Sequence, residues 1–279
     1  MTCRSFAAVL LIVLIAGVVS GTEPFHFVQI TDTHFGVRDH EERTKGIVDM
    51  INRLPMDIAF VVHTGDIMTD NIQRKDILQT GVNILKKLKP PLYFLPGNHD
   101  ILVTDCAATK KTYMRNFGQL NHTYEYNGVV FIFLYTEPLA VEFKDKFEEP
   151  LKILESELKR AGGKPVVVFH HTPSVDDFYN NKMHAGWDAD IRVRWEKLLN
   201  SANVKAVIAG HFHRDEFHWI GDVPMYVSSS VAGFWGRQAS FRIYEYNDGK
   251  LSYRTQYLIP SAKKRRAAKK PLKRDSAKL

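Results

Sequence analysis

A chain of 279 residues, 44% hydrophobic and 25% charged, has a globular composition and length for one large core. Its two cysteines are Cys3, inside an N-terminal leader, and Cys106, which excludes an internal disulfide in the processed chain. The net charge of +7 does not describe the folded part: residues 261–279 hold nine Lys or Arg against the single acid Asp275, a surplus of eight, so the remainder stands at −1.

In chain order, Arg4 precedes an unbroken apolar run from Phe6 to Val19 and then small residues up to Thr22. This pattern is that of a secretory signal peptide. The run has 14 residues, short of the ~18–20 that span a bilayer, so the expected organisation is a leader at 1–21, a catalytic domain at 22–260 and a basic tail at 261–279. The expected location is secreted or periplasmic. The terminal Ala-Lys-Leu resembles a peroxisomal address, but three residues weigh less than a whole leader. The tail is read as a solvated segment, with contact to an anionic surface as the sharper alternative.

After the leader, Phe25 to Ile30 reads as a strand, Glu41 to Leu54 as a helix with Ile47, Val48, Ile51 and Leu54 on one stripe, and Ile58 to Val62 as a strand. A helix over Ile72 to Leu88, stopped by Pro90-Pro91, leads to the strand Leu92 to Leu95. Next come the strand Val129 to Tyr135, a helix from about Phe147 to Ala161, the strand Val166 to Phe169, a helix at Ile191 to Leu199 and the strand Val204 to Ala209. Successive strands fill Glu216 to Ile259, with Asn247-Asp-Gly249 as a hairpin turn. The fold class is therefore α/β: two mixed β-sheets in a sandwich flanked by helices.

Five of these strands end in polar residues. The ends read Thr31-Asp32-Thr33-His34, His63-Thr64-Gly65-Asp66, Pro96-Gly97-Asn98-His99-Asp100, His170-His171 and Gly210-His211-Phe212-His213. Any one of them is an ordinary turn or helix cap. All five at the same topological position, where α/β folds gather their sites, point to a cluster of carboxylate, amide and imidazole ligands. Such donors suit two divalent cations of the Mn, Fe or Zn kind, with a carboxylate such as Asp66 shared between them. On an extended segment, residues i and i+2 face the same way, so Asp32-x-His34 and His211-x-His213 would each present one edge to metal. Two ions bring a charge of about +4 against two aspartates, and such a site attracts an oxyanion. A pair of ions can hold a hydroxide for attack on phosphorus, which makes phosphoester hydrolysis the expected chemistry.

The set Asp32-x-His34, Gly65-Asp66, Gly97-Asn98-His99-Asp100, His170 and Gly210-His211-x-His213 resembles the signature of the calcineurin-like metallophosphoesterase superfamily, from about Phe25 to Ile259. The resemblance implies one metal on Asp32, His34, Asp66 and His213, and a second on Asp66, Asn98, His170 and His211. It also implies that His99 faces the substrate as transition-state stabiliser or proton donor, with Asp66 as the shared catalytic ligand. His170 is preferred to His171 because it follows the strand directly. Asp100 either orients His99 or caps the turn, and His63 reads as a packed histidine. GDIMTDN and GNHD depart from the blocks of protein Ser/Thr phosphatases, and Thr69 stands where purple acid phosphatases carry a tyrosine ligand. The chain thus looks most like the phosphodiesterase or purple-acid-phosphatase-like branch. The expected function is hydrolysis of a phosphodiester or phosphomonoester. The alternatives are a non-enzymatic surface protein binding phosphate ligands or metal, and a nuclease served by the basic tail. Substrate choice is assigned to the loops Asp176 to Asp190 and Val231 to Gln238, where Phe234, Trp235 and Arg237 either clamp a leaving group or simply pack. His184 is left as a surface residue.

Overall fold

The computed structural model describes residues 23–140, 149–178 and 186–259; the expected leader and tail and His184 lie outside them. The first half runs β1 (Phe25–Ile30), α1 (His40–Ile51), β2 (Ile58–Thr64), α2 (Lys75–Leu85), β3 (Leu92–Leu95) and α3 (Cys106–Phe117). The second runs β4 (His122–Tyr126), β5 (Val129–Phe133), α4 (Glu149–Ala161), β6 (Val166–Phe169), α5 (Ala189–Asn200) and β7 (Val204–Ala209). Four strands close it: β8 (Glu216–Ile220), β9 (Val223–Val227), β10 (Ser240–Asn247) and β11 (Lys250–Tyr257).

Two mixed sheets form, in the orders β11-β10-β1-β2-β3 and β4-β5-β6-β7-β9-β8. β1, β2 and β3 run parallel in the first sheet and β5, β6 and β7 in the second, as long crossover connections allow, while β10 lies antiparallel to β1 and each sheet ends in an antiparallel hairpin strand. Asn247 pairs with Lys250, and the two residues between them, Asp248 and Gly249, have φ of 47° and 74°. Positive φ at both centres is what a type I′ turn demands.

Alternation along the strands sorts the side chains into three layers. In β1, Phe25 and Phe27 face the opposite sheet, while Val28 and Ile30 face the helices. In β6, Val167 and Phe169 face inward, while Val166 and Val168 pack toward α4 and α5. The layer between the sheets is strongly aromatic, with Phe27 stacked on Phe60 at 5.0 Å and on Tyr244 at 4.9 Å. At its C-terminal edge the aromatic fill gives way to polar groups: the Gln29 amide donates to Thr64 Oγ1 and to the Ala209 carbonyl, each at 2.9 Å, tying the two sheets together. The polar strand ends collect directly above this bridge.

Two elements were not legible. α3 buries only Thr109 and Tyr113, too little for a visible stripe. β4, HTYEY, has no aliphatic residue and alternates between half-buried and exposed positions.

Candidate metal centre

Two groups of ligand atoms lie at the shared edge of the sheets: Asp32, His34, Asp66 and His213 in one, and Asp66, His171 and His211 in the other. In the first group, His213 Nε2 is 3.1 Å from Asp32 Oδ1 and 3.2 Å from His34 Nε2. Asp66 Oδ2 lies 3.5 Å from His34 Nε2 and 3.1 Å from His171 Nε2, so a single oxygen belongs to both groups. Asn98 Oδ1 joins the second group at 3.2 Å from His171 Nε2. Ligands about 2.0–2.2 Å from a common cation stand roughly 3.0–3.5 Å from one another; the pairs above match this, and His34 Nε2 to Asp32 Oδ1 is slightly wider at 3.8 Å. The donor set of buried carboxylates, imidazoles and an amide oxygen therefore fits two divalent ions meeting at Asp66.

The loops reach this arrangement through unusual backbone. Asp32, His34, Asp66, His211 and His213 have φ of 52°, 45°, 54°, 70° and 54°, the left-handed region that disfavours residues with a side chain. The expectation that Asp32-x-His34 and His211-x-His213 lie on extended segments is corrected by these values. Asp32 and His34 still share one group, whereas His211 and His213 fall into different groups. Mutual hydrogen bonds hold the loops: Asp32 N–H donates to the Gly65 carbonyl at 3.0 Å and His34 N–H to the Asp66 carbonyl at 3.1 Å. Gly97 is needed because a Cβ there would run into Asp66 Oδ1 and stand 2.5 Å from the Asp66 nitrogen.

His170 is not in the centre. Its ring lies among Trp187 and Trp195, with centroids at 5.5 and 5.3 Å, and its Nδ1 faces the Thr172 carbonyl at 3.0 Å. Burial pushes it down to about 3, a neutral packed imidazole. The reason is strand parity: position 170 continues the helix-facing series 166 and 168, whereas 171 continues the inward series 167 and 169. His171 therefore takes the place expected for His170, its Nδ1 held 2.7 Å from the Thr64 carbonyl.

A family model for calcineurin-like phosphoesterases matches residues 25–215, which include every position of the two groups. The chain belongs to this family. Its activity class is metal-dependent hydrolysis of phosphoric esters. The phosphoesterase is 25% identical to the mouse serine/threonine-protein phosphatase CPPED1 over 241 residues, 75% of each chain. It is 27% identical to a probable cyclic nucleotide phosphodiesterase of Rhodopseudomonas palustris over 220 residues, 74% of this chain and 78% of that one. In fold it is similar to a dimetal phosphatase from Danio rerio, with a TM-score of 0.58 at 15% identity, covering 84% and 99% of the two chains.

Around the ligands of this phosphoesterase, charge and burial are balanced by pairs. Burial alone would raise the Asp32 and Asp66 carboxyls, but His213 beside the first and His171 beside the second hold both below the usual carboxylate range. Burial pushes His34 down to about 4 against the pull of Asp66 and Asp32. His63 is fully buried, bonded to Thr33 Oγ1 at 3.0 Å and pushed down to about 3 by burial, a packed residue. Asp100 takes the capping role: its carboxylate accepts from the N–H groups of Ile67, Met68 and Gly97 at 3.1, 2.8 and 2.9 Å, pinning the Asp66 loop to the Asn98 loop.

His99 sits at the open edge. Its backbone N–H donates to Asp66 Oδ1 at 3.0 Å and its Nδ1 is 2.8 Å from Asp70 Oδ1. Although burial lowers His99, the Asp66 and Asp70 carboxylates raise it overall. Asp70 was not singled out by sequence, and GDIMTDN held the only signal, an acid four residues past Asp66. Glu137 was also missed: buried and raised by burial, it accepts from Thr172 N–H at 3.1 Å and Thr172 Oγ1 at 2.8 Å, bracing the turn after His171.

Proposed function

We propose that the chain is an exported two-metal phosphoesterase acting on a small phosphodiester or phosphomonoester. The observation that carries this reading is Asp66: one buried carboxylate oxygen within 3.5 Å of imidazoles from both ligand groups, with His99 bonded to its other oxygen. Asp32, His34, Asp66 and His213 would hold one ion, and Asp66, Asn98, His171 and His211 the other. When bound, such ions, of the Mn, Fe or Zn class, supply Lewis acidity and an activated water. The chain's own residues do the rest. The aspartates leave a net positive site for the phosphate oxygens. Asp70 fixes the His99 ring through Nδ1, so that Nε2 is free to carry a proton to the departing alkoxide, and the raised affinity of His99 for that proton keeps it charged nearer neutral pH.

Export rests on the leader at 1–21, and the tail at 261–279 has the charge to rest on an anionic surface. A phosphoprotein substrate is the second reading, favoured by the name of the mouse relative and opposed by the departures of GDIMTDN and GNHD from the protein-phosphatase blocks. The test is turnover by metal-reconstituted protein of bis-nitrophenyl phosphate, nitrophenyl phosphate, a cyclic nucleotide and a phosphoserine peptide. Preference for the small esters supports the proposal, preference for the peptide transfers it to the second reading, and metal-loaded protein that cleaves none of them refutes both.

A further inference from the structure

Within the loop 231–238, Trp235 is 58% exposed beside ligands that are buried. Its φ of 52° is left-handed, between Gly233 at 62° and Gly236 at 75°. A bulky residue is disfavoured in that conformation, whereas Gly or Asn adopts it readily. Such an outlier persists only where the surroundings enforce it, and here they do. Val231 N–H donates to the Thr31 carbonyl at 3.0 Å and Ala232 N–H to the Asp32 carbonyl at 3.1 Å. The Phe234 ring stacks on His213 at 4.6 Å and meets His34 edge-on at 4.9 Å. The loop is therefore built onto the first ligand group, and it carries the indole outward, 5.2 Å from the His213 ring. The Arg237 guanidinium lies 5.2 Å from the indole centroid, a cation–π contact that steadies it.

Burial does not account for a tryptophan so exposed, and the backbone would be more comfortable without it. We infer that Trp235 is a specificity-determining platform for the leaving group: its indole, beside the metal centre, takes the flat face of an aromatic or heteroaromatic alcohol esterified to phosphate. Aryl and nucleoside phosphoesters are then preferred to alkyl ones. This deepens the phosphoesterase reading and rests on it.

The experiment uses the metal-loaded protein and two inert phosphonates, phenylphosphonate and methylphosphonate, titrated calorimetrically into wild type, Trp235→Ala, Trp235→Phe and Trp235→Asn. Wild type should bind the phenyl ligand about tenfold more tightly than the methyl one, within the range that stacking a base on an aromatic ring contributes. Trp235→Ala should erase that preference and leave methylphosphonate affinity unchanged; Trp235→Phe should keep most of it. Trp235→Asn, which suits the left-handed backbone, repeats the test should the alanine variant fold poorly. An unchanged preference in the variants, equal weakening of both ligands, or no phenyl preference in wild type overturns the platform. The two readings fail distinguishably: a wild type that shows the preference but hydrolyses no ester overturns the enzyme, and with it the leaving-group role, leaving Trp235 as an aromatic binding face only, while one that turns over aryl and alkyl esters alike loses only the platform.

Discussion

His99 is held at both ends by acids: its backbone N–H donates to Asp66 Oδ1 at 3.0 Å, and its ring Nδ1 lies 2.8 Å from Asp70 Oδ1. The first bond locks the residue to the shared ligand, and the second sets the ring's orientation and its charge. Asp70→Asn should keep the orientation and lose the charge. Because Asp70 raises His99, its removal should move the alkaline limb of the kcat/KM profile to lower pH and cut kcat by about 10-fold, less than the roughly 100-fold or greater loss expected for His99→Ala. An alkaline limb that stays in place in Asp70→Asn would remove Asp70 from proton transfer.

The two adjacent histidines should separate cleanly. His171→Ala should lose the second ion while retaining the first, as read by elemental analysis of protein dialysed against limiting metal. His170→Ala should retain both ions and lose stability instead, by about 2–4 kcal/mol, because it empties a buried position against Trp187 and Trp195. Equal metal loss in the two variants would contradict the assignment.

That pair also marks how far sequence reasoning reached. The strands Phe25–Ile30, Leu92–Leu95, Val166–Phe169 and Val204–Ala209 were legible to the residue, because apolar β-rich runs bounded by polar turns leave little choice. The ligand types were legible for the same reason, since each follows a strand. What was not legible depends on which face a side chain leaves from. His170 and His171 are equivalent in composition, and only the inward register of Phe169 decides between them. His211 and His213 belong to different groups, and the left-handed φ of both is announced by no residue type. Asp70 became visible only when folding brought it to a histidine 29 residues away.

Gly97→Ala should impair the centre without touching a ligand. The added Cβ meets Asp66 Oδ1 and the Asp66 nitrogen, so the shared carboxylate must move. The expected result is loss of metal and activity together, out of proportion to the ~1 kcal/mol that an unstrained Gly-to-Ala change involves. A variant with normal metal content and turnover would show that the loop has more room than its geometry indicates.

His122 gives a pH dependence away from the centre. It stacks on Phe133 at 4.3 Å, and burial pushes it down to about 4. The unfolded chain takes up this proton near 6.5, and the folded chain not until about 4. Its contribution is therefore fully present above 6.5 and is lost as pH falls between those values. The stability advantage of wild type over His122→Phe should shrink through that window in denaturant titrations; a difference independent of pH would contradict a neutral, half-buried imidazole.

The most direct measurement is the metal content of wild type, Asp66→Ala and His99→Ala, taken with turnover of bis-nitrophenyl phosphate on the same samples. A centre built on one shared carboxylate predicts two ions per chain in wild type, loss of both in Asp66→Ala, and two retained in His99→Ala with turnover largely gone. A single ion in wild type, or an Asp66→Ala protein that still holds a pair, would contradict it.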